Sequence, residues 1–193
     1  MFEGMLRSRS FSERPPEFMS THPLDESRVA DSRNRANTYP AVAHLQNPEF
    51  LLMRERVRIH YARNIEAEID QRQRALPQLN GAQADAAIYG IALAQMKSGQ
   101  HIAASESIGS LLAREPSRIS YVMLDAEIAL AANDFERAKT VLEAGLRLNP
   151  DNHPLTMTYA TVLTKDRQFK EAASVLEKHA VNFPNDVPVV RPC

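Results

Sequence analysis

Six histidines, one cysteine and a few hydroxyls are the residues with which this chain could do chemistry. The histidines are His22, His44, His60, His101, His153 and His179. No two of them have the His-Glu-x-x-His spacing that places two zinc ligands and a general base on one face of a helix. Cys193 is the only cysteine and the last residue, which excludes an internal disulfide or a cysteine metal cluster. Ser20, Thr21 and Asp25 lie close to His22 in sequence, but that adjacency is not the geometry of a nucleophile and its base. The chain by itself is expected to show no peptidase activity and to hold no stoichiometric zinc.

The rest of the composition points to binding. The formal net charge is −1, which argues against a general nucleic-acid or membrane-surface binder. Twelve of the eighteen arginines precede residue 75, but eleven acidic residues share that half, so it is charge-mixed rather than basic. No apolar run approaches the ~20 residues of a membrane-spanning helix. Met1 to Arg7 lacks the charged start and apolar core of a signal peptide, which taken alone suggests cytoplasm.

Pro116, Pro150 and Pro184 are 34 residues apart and each closes the same pattern. Twelve residues earlier stand Ala104, Ala138 and Ala172; twenty-four earlier, Ala92, Ala126 and Ala160; eight earlier, Ile108, Leu142 and Leu176. Small residues at two positions let paired helices approach closely, the aliphatic residue fills the space beside them, and proline ends the second helix. This period and pattern resemble the tetratricopeptide repeat, a helix-turn-helix unit that stacks into a solenoid. The resemblance covers 85–184 as three repeats and predicts an all-α fold. Gly99, Asn133 and Arg167 occupy the turn between the paired helices. Ile102, Phe135 and Phe169 open the second helices, and the phenylalanines read as core wedges.

Ahead of the repeats, a polar helix is expected from about Leu24 to Asn37. Asn47-Pro48-Glu49 supplies an N-cap, a first-turn proline and an acid. They predict one long connecting helix over 47–80 that packs through Met53, Val57, Tyr61, Ile65 and Ile69. Residues 185–193 form a short tail with two prolines, read as truncated or completed by another chain.

The segment from Pro15 to Ala36, with Ser20-Thr21-His22-Pro23, and the run Asn47-Pro48-Glu49-Phe50-Leu51-Leu52-Met53-Arg54 resemble the BepA-like periplasmic zinc metalloproteases (the YfgC family). The likeness reaches from the end of the peptidase domain, here 1–46, through the repeats. It implies an interaction module of an outer-membrane protein assembly and quality-control factor, inactive as this fragment. It also implies a longer zinc metalloendopeptidase whose His-Glu-x-x-His segment lies upstream. The implied setting is the periplasm, with chaperone-like activity and outer-membrane protein clients or their assembly machinery as partners. Neither nucleic acid nor a transmembrane segment is expected. In such a protein His22 is implicated as a regulatory residue that occupies the open position of the zinc. Arg28, six residues on, is implicated beside an active-site acid. The competing readings are a loop histidine bonded to its neighbours and a solvated helical arginine.

The repeat resemblance also implies a concave binding groove. Its lining comes from Ala86, Tyr89, Leu93 and Met96, then Ser120, Met123, Glu127 and Leu130, then Pro154, Met157, Thr161 and Thr164. Protein-binding roles are expected for Tyr89, Leu93, Met96, Met123, Glu127, Leu130, Met157 and Thr161. The set is apolar and methionine-containing, suited to varied apolar partners; core or merely exposed methionines are the alternative.

Overall fold

A computed structural model describes residues 25–39 and 47–183, and these residues are helical throughout, with short turns between. The chain divides into two compact units, Met1–Leu45 and Gln46–Cys193. In the first, α1 (Asp25–Thr38) matches the expected polar helix and carries an exposed Arg35–Asp31 pair one turn apart. The loop expected at residues 12–23 lies outside the described residues, as does the tail beyond Phe183.

The second unit holds α2 (Pro48–His60), α3 (Ile65–Ala75), α4 (Gly81–Lys97), α5 (His101–Leu112), α6 (Ile119–Ala131), α7 (Phe135–Leu148), α8 (His153–Lys165) and α9 (Phe169–Asn182). Helices α4 to α9 form three antiparallel pairs, each packed on the next. The alanines that define the repeat fill these contacts: Ala92, Ala104, Ala126, Ala138, Ala160 and Ala172 are all buried, with Ile108 and Leu142 beside them. Gly145 allows one of the closest approaches. A β-carbon there would stand 2.6 Å from Val122 Cγ1 of the paired helix.

The three within-repeat turns share one backbone solution. Gly99, Asn133 and Arg167 adopt left-handed φ of 80°, 58° and 61°. The following amides, of Gln100, Asp134 and Gln168, donate back to the carbonyls of Gln95, Ala129 and Leu163 at 2.8 to 2.9 Å. This Schellman closure satisfies carbonyls that the helix end leaves open. Glycine adopts such a φ freely, asparagine tolerates it, and arginine is strained by it.

Three sequence expectations are corrected. The long connecting helix is two helices, broken over 61–64 because Asn64 starts α3 afresh, its side chain accepting from the Ala67 amide at 3.0 Å. The packing stripe of α2 also differs. Met53, Val57 and Tyr61 are exposed, and the buried side is Leu51, Leu52, Glu55 and Ile59. Glu55 can be inside because Arg72 of α3 meets it, Nη2 to Oε2 at 2.6 Å and Nε to Oε2 at 2.8 Å, both side chains being nearly water-free. Gly90 of α4 makes room for this pair, since a β-carbon would lie 2.7 Å from Arg72 Nε. Of the two phenylalanines read as wedges, Phe135 is partly buried and packs against the second core cluster, whereas Phe169 is exposed, as is Ile102 at the equivalent position. The buried stripe of α5 runs through Ala104, Ile108 and Leu111, on the opposite side from Ile102.

Candidate protein-binding groove

Helix α4 is buried on nearly every side, as expected of a helix apolar all round. It pairs with α5, while α2 and α3 also pack on it. Helix α2 thereby covers the first stretch of the groove. Tyr89 and Leu93, expected to meet a partner, are 0% and 5% exposed. The reason is a lid from within the chain: Leu51, Leu52 and Ile59 share one apolar cluster with Ala86, Tyr89 and Leu93.

Polar contacts tie this lid to two repeats. Arg56 Nε donates to Tyr89 Oη at 2.6 Å, and Arg56 Nη2 donates to Glu127 Oε2 at 2.9 Å on α6. Glu49 accepts from Arg118 Nε at 2.9 Å and from Ser120 Oγ at 2.5 Å. Lys97 Nζ caps the end of α2 by donating to the Ile59 carbonyl at 3.0 Å, where a cation suits the helix C-terminus. Burial pushes the Tyr89 hydroxyl up to about 12, although the neighbouring Arg56 pulls it down. Glu127, expected as a binding residue, is thus already engaged.

Beyond the lid lie the later positions that the repeat register assigns to the groove. Met123 and Leu130 of α6 and Met157 of α8 are half-buried, and Thr161 is exposed. Met123 also packs on the second core cluster and accepts from Thr158 Oγ1 at 3.5 Å. Met96 is half-buried against the first cluster. Sequence reasoning missed Arg56 and the Glu55–Arg72 pair, whose partners lie 17 to 71 residues away and leave no local signal.

His22 lies outside the described residues. Arg28 is on the exposed surface of α1. Among the described residues no group of three His, Cys, Asp or Glu could hold a metal ion. The histidines in contact, His153 and His179, bond each other through Nδ1 and Nε2 at 2.8 Å, and His179 is buried against Phe183. No described helix is long and apolar enough to cross a membrane.

Known proteins agree with this architecture. Residues 129–191 match the tetratricopeptide repeat family model. The beta-barrel assembly-enhancing protease of Escherichia coli (strain K12) is 32% identical over 186 residues, covering 95% of this chain and 38% of that protein. A putative beta-barrel assembly-enhancing protease of Vibrio cholerae is 29% identical over 187 residues, with 96% and 39% covered. A crystal structure of a thermophilic TPR protein from Thermus thermophilus superposes with a TM-score of 0.53 over 70% of this chain and 74% of that one, at 23% identity, which speaks to fold alone. The chain spans about two-fifths of the length of the curated relatives it matches. Its described residues form an all-α helical-repeat fold that matches the tetratricopeptide repeat model over residues 129–191, and the chain is similar over nearly its whole length to part of the beta-barrel assembly-enhancing proteases.

Proposed function

We propose that this chain is the protein-binding module of a periplasmic factor for outer-membrane β-barrel assembly and quality control. Its clients are those barrel proteins or their assembly machinery. The observation that supports the reading is that Met123, Leu130, Met157 and Thr161, which the repeat register assigns to the groove, stay at least partly accessible beyond α2. The groove is apolar, adaptable through its methionines, and has its one acid, Glu127, already paired. Such a surface favours extended or helical apolar segments and gains affinity from area removed from water, roughly 25 cal/mol per Å² before ordering costs. Salt should weaken this binding little.

The names of the relatives support a protease in the longer protein. Zinc would there be held by residues outside this chain, and this chain alone would not cleave. The test of the binding role is Met157→Asp with Thr161→Asp. Helix content should stay constant while capture of an unfolded barrel polypeptide is lost. Unchanged capture by the folded double variant would refute the groove.

A further inference from the structure

A second surface lies on the other side of α2. A cleft of about 750 Å³ opens there among α2, α3 and α4, lined by Arg54, Arg58, Arg63 and Arg72 together with Glu55 and Glu68. Arg72 is committed to the two glutamates, reaching Glu68 Oε2 at 2.5 Å as well as Glu55. Arg54 and Arg58, one turn apart, approach the other Glu55 oxygen only at 3.5 Å each, with side chains 43% and 59% exposed. Arg63 makes no ion pair among the described residues. Cationic charge is thus in surplus, and three guanidinium groups can turn to a new partner without stripping Glu55 of its main one.

Tyr61 lines the same cleft and ends an exposed apolar row, Phe50, Met53, Val57 and Tyr61, at steps of three and four residues. Four large apolar side chains aligned in water on one helix face mark an interaction surface. The row and the arginines are contiguous, so one ligand can meet both.

We propose that this face of α2 docks an acidic amphipathic segment of another protein, its apolar side on the row and its carboxylates on Arg54, Arg58 and Arg63. Guanidinium forks match carboxylates in geometry and charge. An apolar row beside them suits a helix laid along α2. A polyphosphate chain would leave the apolar row uncovered and would meet a chain of net charge −1. This surface is separate from the groove, because Arg56 points from the opposite side of α2 toward Tyr89 and Glu127.

The test is a fluorescence-anisotropy titration of the full chain with a labelled synthetic amphipathic helix of leucine and glutamate. Replacing Arg54, Arg58 and Arg63 together with glutamine should weaken binding at least about tenfold. A glutamine-for-glutamate peptide and a serine-for-leucine peptide should each lose as much. Arg58→Glu should reject the acidic peptide and gain a lysine-bearing one, a swap that unfolding cannot imitate. Met157→Asp, in the groove, should leave this titration unchanged. Binding by the triple variant within about twofold of the parent would overturn the proposal, as would tighter binding of a single-stranded oligonucleotide than of the peptide.

Discussion

Arg56 donates to the Tyr89 hydroxyl at 2.6 Å and, with its other arm, holds Glu127 at 2.9 Å, joining α2 to the first helices of two successive repeats. One side chain thus keeps a helix seated in a groove that its repeats would otherwise leave open.

Alkaline pH should loosen that seat. The Tyr89 hydroxyl is raised by burial from 10.0 to about 12. Its folded pKa exceeds its unfolded one, so the stabilisation is complete below pH 10 and is lost as pH climbs toward 12. The loss is on the order of 2 kcal/mol. Urea melts at pH 9 and at pH 11.5 should show this fall, and Tyr89→Phe should show a smaller one. An equal fall in both proteins would assign the effect elsewhere.

Removing Arg56 should cost stability at neutral pH. Arg56→Ala leaves the Tyr89 hydroxyl without its donor and Glu127 without its ion-pair partner, worth about 1–3 kcal/mol together. Chemical denaturation measures it, and hydrogen exchange should report faster opening of Pro48–His60 than of Phe135–Leu148.

Arg167→Gly should stabilise the chain. Arg167 sits at φ 61° where the equivalent turn of the first repeat has Gly99 at 80°. Relief of the left-handed strain is worth about 0.5–1 kcal/mol net of glycine's own chain entropy. A rise in the denaturation midpoint is expected; a drop would mean that the arginine side chain makes a compensating contact.

Gly145→Ala and Gly109→Ala should move in opposite directions. The first drives a methyl to 2.6 Å from Val122 and should cost about 1–3 kcal/mol. The second adds a methyl where nothing lies within 4 Å, on a helix interior that favours alanine, and should gain about 0.5–1 kcal/mol. Paired thermal melts decide it.

The repeats were legible in the sequence because their signal is periodic. Six alanines and three turn residues recur at 34, and each lands where the structure needs a small side chain or a left-handed φ. Helix α2 was misread because its chemistry is not local. Met53, Val57 and Tyr61 imitate a packing stripe. The buried side includes Glu55, which a pattern of apolar residues rejects until Arg72 is brought beside it by the turn at Asn64. That error propagated to the groove. With α2 free, Tyr89 and Leu93 would line it; with α2 in place, they are core. Met123, Leu130 and Met157 are half-buried and Thr161 is exposed, so these positions are not closed off as Tyr89 and Leu93 are.

The central claim, that the groove beyond α2 receives barrel-protein segments, is tested most directly by methionine-methyl NMR. The full chain, carbon-13 labelled at its methionine methyls, is titrated with an unfolded outer-membrane β-barrel polypeptide. The signals of Met123 and Met157 should shift and broaden together and give intermolecular contacts, while Met53, on the exposed face of α2, stays in place. Binding that moves Met53 and leaves Met123 and Met157 unchanged, or no binding at all, would contradict the account.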